Sequence, residues 1–370
     1  MATPRHASAK SLLLAVASTL LTLGVLEVGF RAWAYRQDGR RQEAALRRPS
    51  RLKPGEPASL GDLVRASSSA DIVYELRPGL RVSFMDRAVS TNAEGFRDRE
   101  YAAEKPPGVA RIVGLGDSVM FGWGVGDGED YLAVLEAKLA AQSLGARFEV
   151  LNTAVPGYNG VMELATLKEK GLRYRPDLVI VGFCGNDLGL PNFLQERNDY
   201  FSARRSFLAD FVRGRLSPAD LTAGDDESGL VDRPAKVHWR SARDEDRSVV
   251  PARYAHMVGI TAYDRTLGEL RRLADVEGFD LLVLYYPVAP NVVRRLVESN
   301  GIASFSAAPA VRRFMVLHGG VEPGRELLHV SRSDPHPSAT GHRVIADALL
   351  DHLRASGMLA RLAHRALTRP

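Results

Sequence analysis

Gly114-Leu115-Gly116-Asp117-Ser118-Val119-Met120 follows the lead-in Arg111-Ile112-Val113, in which two β-branched residues stand together. Beyond Asp127 the spacing changes, and Tyr131, Leu132, Leu135 and Leu139 fall on one face of a helix. Strand, glycine-rich turn and helix therefore succeed one another. This order places the Ser118 hydroxyl at the carboxyl end of a first strand, where open α/β sheets bind their ligands.

Working outward, the same alternation repeats along the chain. Strands are predicted at 111–117, 148–154, 177–183 and 280–287, with a fifth at 326–330. Helices are predicted at 128–142, 159–172, 253–276, 291–299, 307–318 and 338–355. Alternating strands and helices signal a mainly parallel sheet with helices on both faces, so the fold class is α/β. Short alternating runs between Asp71 and residue 110 (Ile72-Val73-Tyr74-Glu75-Leu76, Leu80-Arg81-Val82-Ser83-Phe84, Val89-Ser90-Thr91) predict a small β lead-in. The rhythm breaks at about 189–253. The polar stretch Ala223-Gly224-Asp225-Asp226-Glu227-Ser228-Gly229 lies inside this break, which reads as an insertion or lid. Residues 359–370 read as a C-terminal tail.

The N-terminus departs from ordinary globular composition. Ser11 to Leu26 is free of charge and rich in Leu, Val and Ala, with Arg5 and Lys10 before it and Glu27 after it. Residues 1–30 thus read as a signal-anchor or transmembrane helix, with Trp33 and Tyr35 as an interfacial belt. Residues 31–70, rich in Arg, Ala, Ser and Pro, read as a juxtamembrane tether. Ten Lys/Arg against three acids lie in residues 1–55, which takes more than the whole net charge of +5. The rest of the chain is slightly acidic, with no basic footprint for nucleic acid. Six arginines (Arg31, Arg36, Arg40, Arg41, Arg47, Arg48) follow the apolar run, and a strict positive-inside count would keep the body in the cytoplasm. A short apolar run this early nevertheless acts as an export signal, and the expectation is a single-pass protein with its body outside the cytoplasmic membrane. The lone Cys184 forms no internal disulfide.

Four separated segments supply what acyl transfer needs. A serine hydroxyl attacks only when an imidazole takes its proton, and the imidazole needs an acceptor to fix its tautomer. Ser333-Asp334-Pro335-His336-Pro337-Ser338 offers base and acid in one proline-stiffened loop. Donors for a developing oxyanion are the backbone amides of Ser118 and of Gly157, within Thr153-Ala154-Val155-Pro156-Gly157-Tyr158, and the side chain of Asn186, within Cys184-Gly185-Asn186-Asp187. Taken singly, each residue has an ordinary reading: Ser118 as a helix cap, Asp334 and Asp187 as caps or turn formers. Their joint occurrence at the ends of four predicted elements favours the chemical reading.

These residues resemble the sequence blocks of the SGNH (GDSL-type) hydrolase superfamily, over roughly Arg111 to Leu350. Gly116-Asp117-Ser118 is similar to its first block, Gly157 to its second, Gly185-Asn186-Asp187 to its third and Asp334-Pro335-His336 to its last. The lead-in Thr91-Asn92-Ala93-Glu94-Gly95-Phe96-Arg97-Asp98 and the N-terminal helix are similar to membrane-tethered bacterial members. The resemblance implies a flavodoxin-like three-layer α/β/α domain over 111–358 with a five-stranded, mainly parallel sheet. It implies Ser118 as nucleophile, His336 as base, Asp334 as orienting acid, an oxyanion hole of Ser118, Gly157 and Asn186, and no metal or organic cofactor. The implied substrate is an acyl ester, chiefly acetyl, on a carbohydrate. One departure stands out: many members space acid and base as Asp-x-x-His, whereas here Pro335 alone intervenes. That shorter spacing resembles the alginate-acetylation branches and keeps O-acyl transfer to an exported polysaccharide as an alternative; a non-catalytic binding protein is the remaining one.

Other patterns fall away. A dinucleotide fingerprint is missing its third glycine, whose place Val119 holds, and the α/β-hydrolase elbow lacks its second glycine, whose place Met120 holds. Asp127, Glu129 and Asp130 read as acids of a first helical turn rather than a calcium site. His238, His256, His318, His329 and His342 show no paired ligand spacing. Cys184 reads as a small buried residue, and Trp123 as core packing ahead of an acyl-pocket wall.

Overall fold

A computed structural model of the chain describes residues 9–47, 52–194, 200, 206–216, 250, 252–286 and 288–368. The stretch Ala223 to Gly229, expected in the insertion, lies outside the described residues.

The chain begins with one long helix, α1 (Ala9–Arg47), and passes through short elements: β1 (Pro57–Ala58), α2 (Leu60–Leu63), β2 (Val64–Ala66), β3 (Tyr74–Leu76), β4 (Arg81–Phe84) and β5 (Arg87–Ser90). These make two small sheets, β1-β4-β5 and the antiparallel pair β2-β3. The α/β domain follows: β6 (Val109–Gly116), α3 (Ser118–Phe121), α4 (Tyr131–Ala140), β7 (Arg147–Asn152), α5 (Gly160–Thr166) and β8 (Leu178–Phe183). Then come α6 (Phe207–Leu216), α7 (Ile260–Glu277), β9 (Asp280–Tyr285), α8 (Asn291–Ser299), β10 (Ala303–Ser306), α9 (Ala308–Leu317), α10 (Val321–Leu328), α11 (Ala339–Ala355) and α12 (Met358–Thr368).

The main sheet has the order β10-β9-β8-β6-β7, and every neighbouring pair is parallel. Counted within the sheet, this is the 2-1-3-4-5 order of flavodoxin-like folds, in which the chain reverses direction across the sheet between its first and third strands. Here those strands are β6 and β8, and Ser118 and Asn186 directly follow them. All eight residues of β6 are buried, as a central strand covered on both faces must be. One layer of the core joins Ile112, Leu132, Leu135, Ile345 and Leu349; the other joins Val113, Val181, Leu267, Leu270 and Val283.

Two buried arginines stitch the β lead-in to this domain. Arg111, fully buried, pairs with Glu149 at 2.6 Å and donates to the carbonyls of Ala102 and Tyr174. Arg97, 3 % exposed, donates to the carbonyl oxygens of Phe121, Gly122 and Val125 at 2.6–2.8 Å. Those carbonyls close the short helix that Ser118 opens, so the lead-in fixes the serine turn from behind.

The structure corrects several expected elements. The fifth strand is Ala303–Ser306 at the sheet edge, not 326–330, most of which lies in α10 and the turn that follows it. The Glu326-Leu327-Leu328 run has no strand neighbour among the described residues; Leu328 is buried while Leu327 stays 46 % exposed, as on a one-sided helix. The helix expected from 253 begins at Ile260, because Gly259, at φ +93°, ends a preceding 3₁₀ turn over Ala252–Met257. Within the segment 31–70 expected as a juxtamembrane tether, residues 31–47 continue α1, and Leu46 enters the core. The expected tail is instead α12, with Leu359, Leu362, Ala363 and Ala366 buried in an i, i+3, i+4 stripe.

Candidate active site

Ser118 is the first residue of α3, directly after β6. Asp117 precedes it as N-cap, its carboxylate accepting from the Val119 amide at 2.9 Å. A Cβ on Gly116 would stand 2.7 Å from the Met120 Cβ, so the turn admits only glycine there. Burial raises the Asp117 carboxyl; the hydrogen bond from Val119 N–H and the polar neighbours His336, Asn186 and Cys184 work against this without cancelling it.

The loop between α10 and α11 brings the other two residues across. His336 Nε2 lies 2.8 Å from Ser118 Oγ, and its Nδ1 lies 2.6 Å from Asp334 Oδ1. The one-residue spacing is accommodated by an Asx turn: Asp334 Oδ1 also accepts from the His336 backbone N–H at 3.0 Å. Its second oxygen accepts from Trp123 Nε1 at 3.1 Å. Burial works to raise the Asp334 carboxyl, but the hydrogen bonds from His336 and Trp123 outweigh it and hold it below its usual value. The Trp123 ring also stacks on His336, centroids 5.3 Å apart at 26°, and packs against Phe84 of β4 in a T-shaped arrangement at 4.9 Å. The loop is pinned by Val330 N–H to His336 O at 2.9 Å and Ser338 N–H to Leu328 O at 2.7 Å.

Gly157 lies in the turn after β7 at φ +75°, and a Cβ there would collide with the Asn192 side chain. Asn186 sits in the turn after β8. Its amide donates to Tyr158 O at 3.2 Å, which ties it to the Gly157 turn and leaves its second N–H available. The structure thus gathers Ser118, Asp334 and His336 into one hydrogen-bonded series and sets Asn186 against the Gly157 turn.

Behind this edge lies a group of buried acids. Asp187 accepts from Cys184 N–H at 3.3 Å, while its other oxygen and both oxygens of Glu163 have no hydrogen-bond partner among the described residues. Burial, then the neighbouring carboxylates, push Glu163 and Asp187 well above the ordinary carboxyl range. Burial likewise raises the Cys184 thiol, which leaves it a poor nucleophile. His342 is buried and held neutral, its pKa pushed down to about 3 by burial and the nearby Arg97 guanidinium; its Nδ1 accepts from Tyr131 N–H and so caps α4. Of the acids near α4, Asp130 caps it through Leu132 and Ala133, and Asp127 ties Ser90 of β5 at 2.7 Å. The sequence gives no sign of what Phe84 and Arg97 do at this site. Trp123 offers one signal, its place close after Ser118, and that place suits a core residue equally well.

Residues 115–344 match the GDSL-like lipase/acylhydrolase family. The chain belongs to this family. The protein is therefore a hydrolase of ester bonds on the SGNH fold. No curated protein matches its sequence. Among solved structures it is similar to TesA, at 16 % identity and a TM-score of 0.38, over 66 % of this chain and 98 % of that one. It is similar also to LAE5, an alpha/beta hydrolase enzyme from the metagenome of Lake Arreo, at 19 % and 0.40, over 68 % and 96 %. A third is Axe2, an acetylxylan esterase from Geobacillus stearothermophilus, at 16 % and 0.39, over 66 % and 94 %.

Proposed function

We propose that this GDSL-family hydrolase is a membrane-anchored serine esterase that removes short acyl groups, chiefly acetyl, from carbohydrate esters through an acyl-enzyme on Ser118. The observation that carries the reading is the unbroken series from Ser118 Oγ to His336 Nε2 and from His336 Nδ1 to Asp334. In this reading Ser118 Oγ attacks the ester carbonyl while His336 Nε2 takes its proton. The Asp334 carboxylate fixes the tautomer and stabilises the imidazolium. His336 then protonates the leaving alkoxide, and the same base activates water to release the acid. Ser118 opens a helix, so its N–H has no intrahelical acceptor; with Gly157 N–H and the clamped Asn186 amide it supplies donors for the oxyanion.

The small acyl group and large alcohol suit an open site: the Asp334 and His336 side chains remain 21 % and 26 % exposed. The carbohydrate part follows what the resemblance to the SGNH (GDSL-type) hydrolases implies. The same openness admits an acceptor hydroxyl in place of water, which is the transferase alternative. Retention of α1 as an anchor is supported by its second half, which is built into the domain: Leu46 lies in the core and Asp38 accepts from Tyr200 Oη at 2.7 Å. In this reading the catalytic domain stands on the extracytoplasmic side.

The test is turnover of p-nitrophenyl acetate and of an acetylated sugar by the full chain and by Ser118→Ala. Loss of about 10³-fold or more with unchanged melting is expected; retained turnover overturns the assignment. Adding a free saccharide to the same assay separates the two reactions, since acetylated acceptor formed in excess of acetate identifies transfer.

A further inference from the structure

We propose that α6 is a membrane-interface helix, which lies in the headgroup region of a phospholipid bilayer beside α1 and fixes how the catalytic domain is held against the membrane. The proposal rests on the reading of α1 as a membrane anchor.

The span from Lys10 to Val28 rises ~28 Å at 1.5 Å per residue, about the thickness of a hydrocarbon core. None of the most apolar window of α1 is buried, and Leu12, Leu13, Leu14, Leu20 and Leu21 are 64–71 % exposed. Glu27, Phe30 and Trp33 then stand at the level where hydrocarbon gives way to headgroups. There α6 is attached to α1. The Glu27 carboxylate accepts from Ser206 Oγ and from the backbone N–H groups of Phe207 and Leu208, all at 2.9 Å, and so caps α6 from another helix. Arg31 holds the same carboxylate at 2.6 Å and places its guanidinium 5.6 Å from the Phe207 ring.

A carboxylate at the end of an apolar run is costly in lipid unless it is paired and hydrogen-bonded. The α6 cap and Arg31 together meet that requirement. One turn further along α6, Phe211 packs on Phe30 at 4.6 Å, and Phe30 packs on Trp33 at 6.4 Å. Phe211 and Val212 nevertheless remain 40 % and 46 % exposed, next to Val28 at 61 % and Trp33 at 54 %. This apolar surface is continuous with the exposed face of α1 and lies at interfacial depth, where Trp and Phe are favoured beside basic residues such as Arg31 and Arg36. Lipid is the occupant that covers both helices at once.

The test uses the full chain in vesicles of phosphatidylcholine and phosphatidylglycerol, with Cys184→Ser and one added cysteine carrying an environment-sensitive fluorophore: Leu20→Cys, Val212→Cys or Val276→Cys. Val276 is 66 % exposed at the far end of α7. Quenching by lipids bearing a nitroxide at mid-chain or near the headgroup is measured. The expected result is mid-chain quenching at position 20, headgroup-level quenching with blue-shifted emission at position 212, and neither at position 276. Quenching at position 20 with position 212 as water-like as position 276 overturns the α6 proposal while the anchor stands. No quenching at position 20 overturns both.

Discussion

At Trp123 one indole serves two groups of the active site, donating to Asp334 Oδ2 at 3.1 Å and stacking on the His336 ring. A hydrogen bond to a charged partner contributes ~1.5–3 kcal/mol when well shielded, and less where water reaches the site, as it does here. Trp123→Phe keeps the stacking and removes the donor. The expected outcome is a fall of about tenfold in kcat/KM for an acetyl ester, with the melting temperature within a few degrees of the parent. An unchanged rate would reduce Trp123 to packing between Phe84 and the histidine loop. The role is illegible in the sequence, because Trp123 and Asp334 lie far apart in the chain and nothing in an isolated tryptophan tells a core residue from a second partner for an acid. Ser118, His336 and Asp334 are legible for the opposite reason: their chemical types are few, and each falls at the end of a recognisable element.

At the scale of elements, the strands most plainly legible in the sequence are the three central ones, while edge strand β7 is legible from its Phe148-Glu149-Val150-Leu151 run. Ile112-Val113, Val179-Ile180-Val181 and Leu281-Leu282-Val283 are unbroken apolar runs, and such runs have few alternatives in an α/β chain. β10 escapes because Ala303-Ser304-Phe305-Ser306 is a short edge strand with polar residues, stabilised by pairing with β9 rather than by its own pattern. The run near Leu328 misleads for the complementary reason: a few apolar residues between turns suit strand or helix equally until a neighbour is known. α12 carries an amphipathic stripe that a position at the end of the chain disguises. The extension of α1 beyond its apolar run is hidden by charge, since Glu27-Arg31 and Glu43-Arg47 are i, i+4 pairs that support a helix where the apolar pattern in the sequence has ended. The short acid–base spacing, a departure in sequence, is resolved by a local turn in which Asp334 bonds both the ring and the backbone of His336.

At the scale of the whole molecule, the buried acids make stability depend on pH with a definite sign. Burial and the adjacent carboxylates raise Glu163 in the folded state, whereas in the unfolded chain it ionises near its ordinary value of 4.5. Above that value the folded protein keeps a proton that the unfolded chain has released, so stability falls as pH rises, by up to ~1.4 kcal/mol per pH unit for one proton. Glu163→Gln is uncharged in both states. Denaturant titrations between pH 5 and 8 are expected to show a declining stability for the parent and a slope reduced by about one proton for the variant; parallel profiles would mean that Glu163 is ionised in the fold. Whether the series ending at Ser118 makes its hydroxyl a nucleophile is decided by treating the full chain with a fluorophosphonate and locating the adduct by peptide mass spectrometry. One stoichiometric adduct is expected, on Ser118, and it is lost in His336→Ala. An unlabelled Ser118 under conditions where the folded protein is intact, or labelling indifferent to His336, would contradict that role.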